Sequence, residues 1–179
     1  INTKYKFGTT GTLDGTLTHK LVLEGLFGET HLVTTTNELI DKKTLSPFRI
    51  KSLVLQYPEE MRKQIKSYTY KEEIDVIISN EKRNKFIRNL AISLNTNTLI
   101  LFQMVENHGK ILYDLIKEKA KDGRKVFFVY GGTETTDREN IRKAVENETN
   151  AIVVASYGTF STVINITNLH NIIFASPSK

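Results

Sequence analysis

Two short stretches of the chain hold residues whose types and spacing suit chemistry on an anion. They are Gly131-Gly132-Thr133 and Ser156-Tyr157-Gly158-Thr159-Phe160-Ser161-Thr162. Each places small or hydroxyl-bearing residues, with their backbone N–H groups, directly after an apolar run. A loop of that kind running into a helix N-terminus can cradle phosphate oxygens. The same residue types are also what ordinary strand-to-helix turns and N-caps require, so spacing alone leaves both readings open.

Other chemistries find no support. Gly109-Lys110 resembles the end of a phosphate loop, but Met104 stands at the first Gly position and Ile111 at the Ser/Thr position, so the Walker pattern fails. His19, His31, His108 and His170 are scattered without ligand spacing, and no metal site is expected. Glu72-Glu73-Ile74-Asp75 reads as a solvated helix face, not a Mg²⁺ site. No Ser-His-Asp set is identifiable. The absence of Cys excludes disulfides, thiol catalysis and thiolate metal sites. A net charge of +5 permits a polyanionic partner without demanding one. No apolar run approaches the roughly 18 residues of a membrane span, so no membrane partner is expected and the cytoplasm is the expected location.

The elements that must position the two stretches follow from periodicity. At 179 residues and 39% hydrophobic composition the chain can bury a core. In residues 14–50, Leu21 to Gly28 is apolar and glycine-punctuated. A hydroxyl residue ahead of Glu38 suggests a capping box opening a short helix, which Pro47 follows. Ile50, Leu53, Val54 and Leu55 read as a strand stopping at Tyr57-Pro58. Residues 59–95 are helical in period, with Ile74, Ile77 and Ile78, then Phe86, Ile87, Leu90, Ala91 and Leu94, at helical spacing. Lys82, Arg83, Lys85 and Arg88 lie along the same stretch, either as a solvated face or as a nucleic-acid patch.

From residue 96 the pattern is regular. Thr98 to Phe102, Lys125 to Tyr130, Ala151 to Ala155 and Asn171 to Ala175 are strand-like runs. Helical stretches at 106–121, with Ile111, Leu112, Leu115 and Ile116 on one face, and at 136–147, with Ile141 and Val145 inside, separate the first three. The alternation predicts an α/β fold, a parallel sheet flanked by helices. Ligands of such sheets bind beyond the strands' carboxyl ends. That rule selects the loops at 102–107, 130–136, 156–163 and 176–179.

An ordered set of these residues resembles a family. Phe7-Gly8-Thr9-Thr10-Gly11-Thr12-Leu13 resembles the Ser/Thr-Gly/Ala-Thr motif that closes the first RecA-like domain of superfamily 2 helicases. Leu26-Phe27-Gly28, Thr36 to Ile40 and Leu45 to Ile50 look like the connection into the second such domain. Thr98 to Phe102 is similar to the fourth motif. Ser156 to Ile166, with Asn168-Leu169-His170, resembles the fifth. The likeness is nearest to the phage UvsW-type helicases of recombination and repair. One position departs from it: Val163 stands where the family usually carries Gly.

The resemblance implies a RecA-like helicase C-terminal domain, here incomplete. Residues 1–13 would be the last strand and coupling motif of the first motor domain, 14–50 would connect, and 51–179 would form the second domain. It implies an ATP-dependent DNA helicase acting on single-stranded or branched DNA. ATP and Mg²⁺ would be bound mainly by the first RecA-like domain, a partner in cis. Thr10, Gly11 and Thr12 would couple the nucleotide and DNA sites. Gly132, Thr133, Ser156, Gly158, Thr159 and Ser161 would meet the DNA backbone, and Asn165 would face the nucleotide. The phosphate loop, the Asp-Glu box and the arginine-bearing last motif are not among these residues; on this reading they precede residue 1 and follow residue 179. A different α/β nucleotide- or sugar-nucleotide-binding enzyme, an inactive fragment and a complete small domain are the alternatives.

Overall fold

Thr98-Leu99-Ile100-Leu101-Phe102 has no solvent-facing position, and it forms the central strand β1 (Thr98–Phe102). A strand covered on both faces reads as a continuous apolar run, as parallel strands between helices do. In the computed structural model, residues 3–11, 15–120, 123–159 and 166–177 are described. The chain divides into two units, Ile1–Leu53 and Val54–Lys179.

In the second unit, α3 (Glu59–Ile65), α4 (Tyr70–Ser79) and α5 (Glu81–Ser93) precede β1. A π-helical turn (Val105–Gly109) then runs into α6 (Lys110–Lys119), followed by β2 (Val126–Val129), α7 (Thr135–Glu146), β3 (Ile152–Ser156) and β4 (Asn171–Phe174). The sheet order is β2-β3-β1-β4, and every pairing is parallel. The expected α/β architecture, a parallel sheet flanked by helices, is thus observed, as a RecA-like helicase domain requires.

Strand alternation divides the core into two layers. Ile100 and Phe102 of β1 and Ile152 and Val154 of β3 pack with Ile87 and Ala91 of α5 and Leu112 and Ile116 of α6. On the other face, Leu99, Leu101, Val153 and Ala155 pack with Val145 of α7. Ile111, expected on the buried face of α6, is 41% exposed. The π turn sets the phase of this helix. Gly109 N–H reaches back five residues to Met104 O, at 2.9 Å. A Cβ on Gly109 would stand 2.5 Å from the Phe102 ring, so glycine alone lets the turn close against the end of β1.

In the first unit, α1 (Leu17–Phe27) buries none of its side chains and stops at Gly28, whose φ is +88°. Helix α2 (Thr36–Asp41) opens with the expected capping box, Thr35 and Glu38 bonding each other's backbone N–H. Two expected strands are absent among the described residues. Residues 50–55 form none, with Ile50 and Val54 exposed, and residues 3–11 form none either. Apolar composition favours a strand only where a neighbour accepts its backbone bonds, and neither segment pairs with another among the described residues.

The amino end of the sheet is tied by one side chain. Fully buried Asn97 directs Nδ2 at three carbonyls: Asn168 at 2.7 Å, Glu148 at 2.8 Å and Val145 at 3.1 Å. Its Oδ1 accepts the Ala151 N–H at 2.8 Å. The end of α7, the start of β3 and the approach to β4 are thereby fixed to β1. Arg124 does similar work for α5, donating to Ile92 O at 2.8 Å, Leu94 O at 2.6 Å and Asn150 O at 2.7 Å. Asn97→Ala leaves a buried N–H and several carbonyls without partners, and should cost about 3 kcal/mol. Urea unfolding followed by circular dichroism measures this. A loss under about 1 kcal/mol would show that the amide is dispensable.

Candidate nucleic-acid interface

Strands β2 and β3 are neighbours in register, Val129 opposite Ala155, so their carboxyl ends lie side by side. The turn after β2 is closed twice. Thr133 N–H donates to Tyr130 O at 2.9 Å, and Tyr130 N–H donates to Thr133 Oγ1 at 3.0 Å. Arg138 of α7 adds Nη2 to Gly131 O at 2.9 Å. Gly131 and Gly132 are exposed, and a Cβ on Gly132 would meet the Tyr130 ring at 2.7 Å. After β3, Ser156 Oγ and Thr159 Oγ1 are 2.8 Å apart, and Gly158 between them is exposed.

Gly132, Thr133, Ser156, Gly158 and Thr159 therefore share one rim, at the carboxyl ends of adjacent strands. Their hydroxyls do not all face outward. Thr159 is 4% exposed and spends its hydroxyl on Ser156, and the Thr133 hydroxyl is held by Tyr130. The exposed residues of the rim are Gly131, Gly132 and Gly158. Thr10 and Gly11 are exposed in the first unit. Thr12, Ser161 and Asn165, and the departure at Val163, lie outside the described residues.

Beneath the rim at β1 and β4 lies a buried polar chain absent from the sequence reading. Ser176 Oγ accepts the Gln103 N–H at 3.2 Å and stands 2.8 Å from His108 Nδ1. His108 Nε2 is 3.2 Å from Asn84 Oδ1, and Asn84 Nδ2 donates to Ile78 O at 2.8 Å. These bonds agree on only one pattern. The Asn84 amide must accept from the imidazole, so Nε2 carries the proton and Nδ1 accepts the Ser176 hydroxyl. Burial, together with the nearby Arg83 guanidinium, pushes His108 down to about 4, so the ring is neutral near pH 7.

The sequence places Arg83 with Lys82, Lys85 and Arg88 on a charged stretch, either a solvated face or a nucleic-acid patch. Arg83 instead turns in, with Nη2 donating to Ala175 O at 2.6 Å, because α5 packs its first turn against the end of β4. Lys85 pairs with Glu81 at 3.3 Å, which further thins that face as a polyanion patch. Glu72 proves to be the reciprocal cap of α4, accepting Thr69 N–H at 2.7 Å. No periodic signal marks His108, Asn84 or Ser176, because each is a single polar residue whose partners are distant in sequence.

A Mg²⁺–nucleotide site does not fit the described residues on their own. Lys110, the lysine of the failed phosphate-loop pattern, is bonded to Glu106 at 2.6 Å, and the Gly109 backbone is packed on Phe102. Among the described residues no three potential metal-ligating side chains converge, and no helix is long and apolar enough to cross a membrane.

The histidine has a measurable consequence. Unfolded His108 takes up its proton near pH 6.5, and the folded protein resists until about pH 4. Its contribution is fully present above pH 6.5 and is lost as pH falls between those values. Depressed carboxylates such as Glu139, whose ordinary value is 4.5, act mainly below that window. Stability at pH 5 should be about 2 kcal/mol below that at pH 7.5, with the difference much reduced in His108→Asn. Equal slopes in the two proteins would remove His108 as the cause.

No protein-family model matches the chain, and no solved structure matches it. A curated protein does: the ATP-dependent DNA helicase UvsW of Enterobacteria phage T4 is 38% identical over 181 residues, covering 99% of this chain. The chain spans 35% of the length of that relative. The alignment runs along nearly the whole chain: its sequence matches a segment of a UvsW-type DNA helicase.

Proposed function

We propose that this segment supplies the DNA-backbone-binding half of an ATP-dependent helicase or translocase that remodels branched DNA. The observation that carries the reading is the rim itself. Two glycine- and hydroxyl-bearing turns end adjacent parallel strands, in a chain whose relative is an ATP-dependent DNA helicase. Exposed glycine backbone at Gly131 and Gly132 suits phosphate oxygens, Gly158 lies exposed on the neighbouring turn, and such contacts position a motor without reading base sequence. With Thr133 and Thr159 engaged inside their turns, we assign them to shaping the loops that present those groups. Ser156 is assigned the same part, and Ser161 a direct contact.

In the intact protein, Asn165 would face the nucleotide across an interdomain cleft, and Thr10, Gly11 and Thr12 would couple that nucleotide to DNA. ATP and Mg²⁺ would be held mainly by a first RecA-like domain in cis. The working place of such an enzyme is the cytoplasm of the phage's host.

Three outcomes follow. The chain alone should show no ATPase activity, with or without DNA, because phosphoryl transfer needs a phosphate cradle, Mg²⁺ ligands and a stabilising cation together. DNA-stimulated turnover that survives repurification would contradict the half-motor reading. Second, fluorescence anisotropy with labelled oligonucleotides should show weak binding, equal across base sequences. Its salt slope should correspond to roughly two to four phosphate contacts at about −0.7 each. A steep slope, or strong base preference, would contradict a glycine-lined rim. Third, in a UvsW-type enzyme carrying this segment, Thr10→Ala with Thr12→Ala should lower unwinding more than ATPase. Losses in equal proportion would reject coupling.

A further inference from the structure

We propose that His108 is a positioning residue for the turn at 156–159, acting through Ser176 and Tyr157. His108 and Ser176 are 0% and 4% exposed, so neither reaches a ligand directly. What they do is join elements far apart in sequence. The imidazole receives the Ser176 hydroxyl at 2.8 Å, which fixes the chain where it leaves β4. The carbonyl of the same Ser176 accepts the Tyr157 hydroxyl at 2.7 Å. Tyr157 directly follows β3 and directly precedes Gly158. Its ring also stacks on Phe174 of β4, with centroids 6.3 Å apart.

Ser176 is therefore held on both sides. Its side chain is tied through His108 to the π turn after β1, and its carbonyl to the turn after β3. The other end of the imidazole runs through Asn84 to Ile78 O at the end of α4, a branch that does not lead to the rim. The two ring nitrogens thus serve different destinations. A merely space-filling histidine would make no distinction between them.

The placement half of this inference concerns the protein alone. The DNA half rests on the proposed function.

The test uses the whole chain, its amide NMR spectrum and a short labelled oligothymidylate. His108→Asn keeps a carbonyl oxygen near the Nδ1 position, so the Ser176 branch survives. His108→Gln reaches toward Asn84 and gives up Ser176. The expected result is a split. His108→Gln, Ser176→Ala and Tyr157→Phe should shift the Gly158 and Thr159 amides and speed their exchange by roughly three- to tenfold, the scale of one lost hydrogen bond. His108→Asn should leave those amides near their original positions. Oligothymidylate affinity should fall by a similar factor in the first three variants and not in the fourth.

Equal disturbance of Gly158 by both histidine variants, in step with lost stability, would overturn the proposal. So would unmoved Gly158 and Thr159 amides in Tyr157→Phe. If neither histidine variant folds, Ser176→Ala and Tyr157→Phe decide, since each removes a single hydroxyl. A parent chain that binds no oligothymidylate would overturn the DNA half and the proposed function with it, while the amide pattern would still decide the placement.

Discussion

Parallel strands buried on both faces, as β1 and β3 are, leave backbone groups at their two ends that must be paired away from water, and this constraint organises the second unit. Orphaned buried N–H and C=O groups are too costly to persist. At the amino end Asn97 meets the constraint, binding three carbonyls and one N–H from three other segments. At the carboxyl end Ser176, His108 and Asn84 meet it in series. The apolar layers of β1 and β3 stabilise the sheet, but these polar side chains decide how the loops enter and leave it.

In the proposed function the second of those ends is the working one. A rim that contacts phosphate through glycine backbone cannot rely on long flexible cations to find the ligand. Its N–H groups have to be aimed in advance, which places the burden on the turns behind them. The Thr133 and Thr159 hydroxyls are committed to that aim and are not held out to solvent. Arg138 at Gly131 and Tyr157 at Ser176 brace the two turns from different elements.

Much of this was legible from the sequence where the signal is local and repetitive. The continuous apolar runs at 98–102 and 151–155 announced buried parallel strands, and hydroxyl–x–x–Glu spacing announced the capping box at Thr35 and Glu38. The rim loops followed from the order of elements. Apolar composition misled where no partner strand lies among the described residues. Ile50, Leu53 and Val54 have strand-like composition and no strand to pair with, while the helix at Leu17–Phe27 buries nothing and carries little amphipathic pattern. Single polar residues were illegible for a related reason. Arg83 sits among lysines as if on a solvated face, and only the packing of α5 on the end of β4 turns it inward. His108 is bonded to partners 24 and 68 residues away, a separation no short window can reveal.

The central claim is that DNA backbone meets this chain at the carboxyl rim of β2 and β3. Amide NMR titration of the chain with a short oligothymidylate tests it most directly. The account predicts progressive shifts at Gly131, Gly132 and Gly158, unchanged in pattern when the bases are varied. Shifts confined to the basic helix around residues 82–88, with Gly132 and Gly158 unmoved, would contradict it.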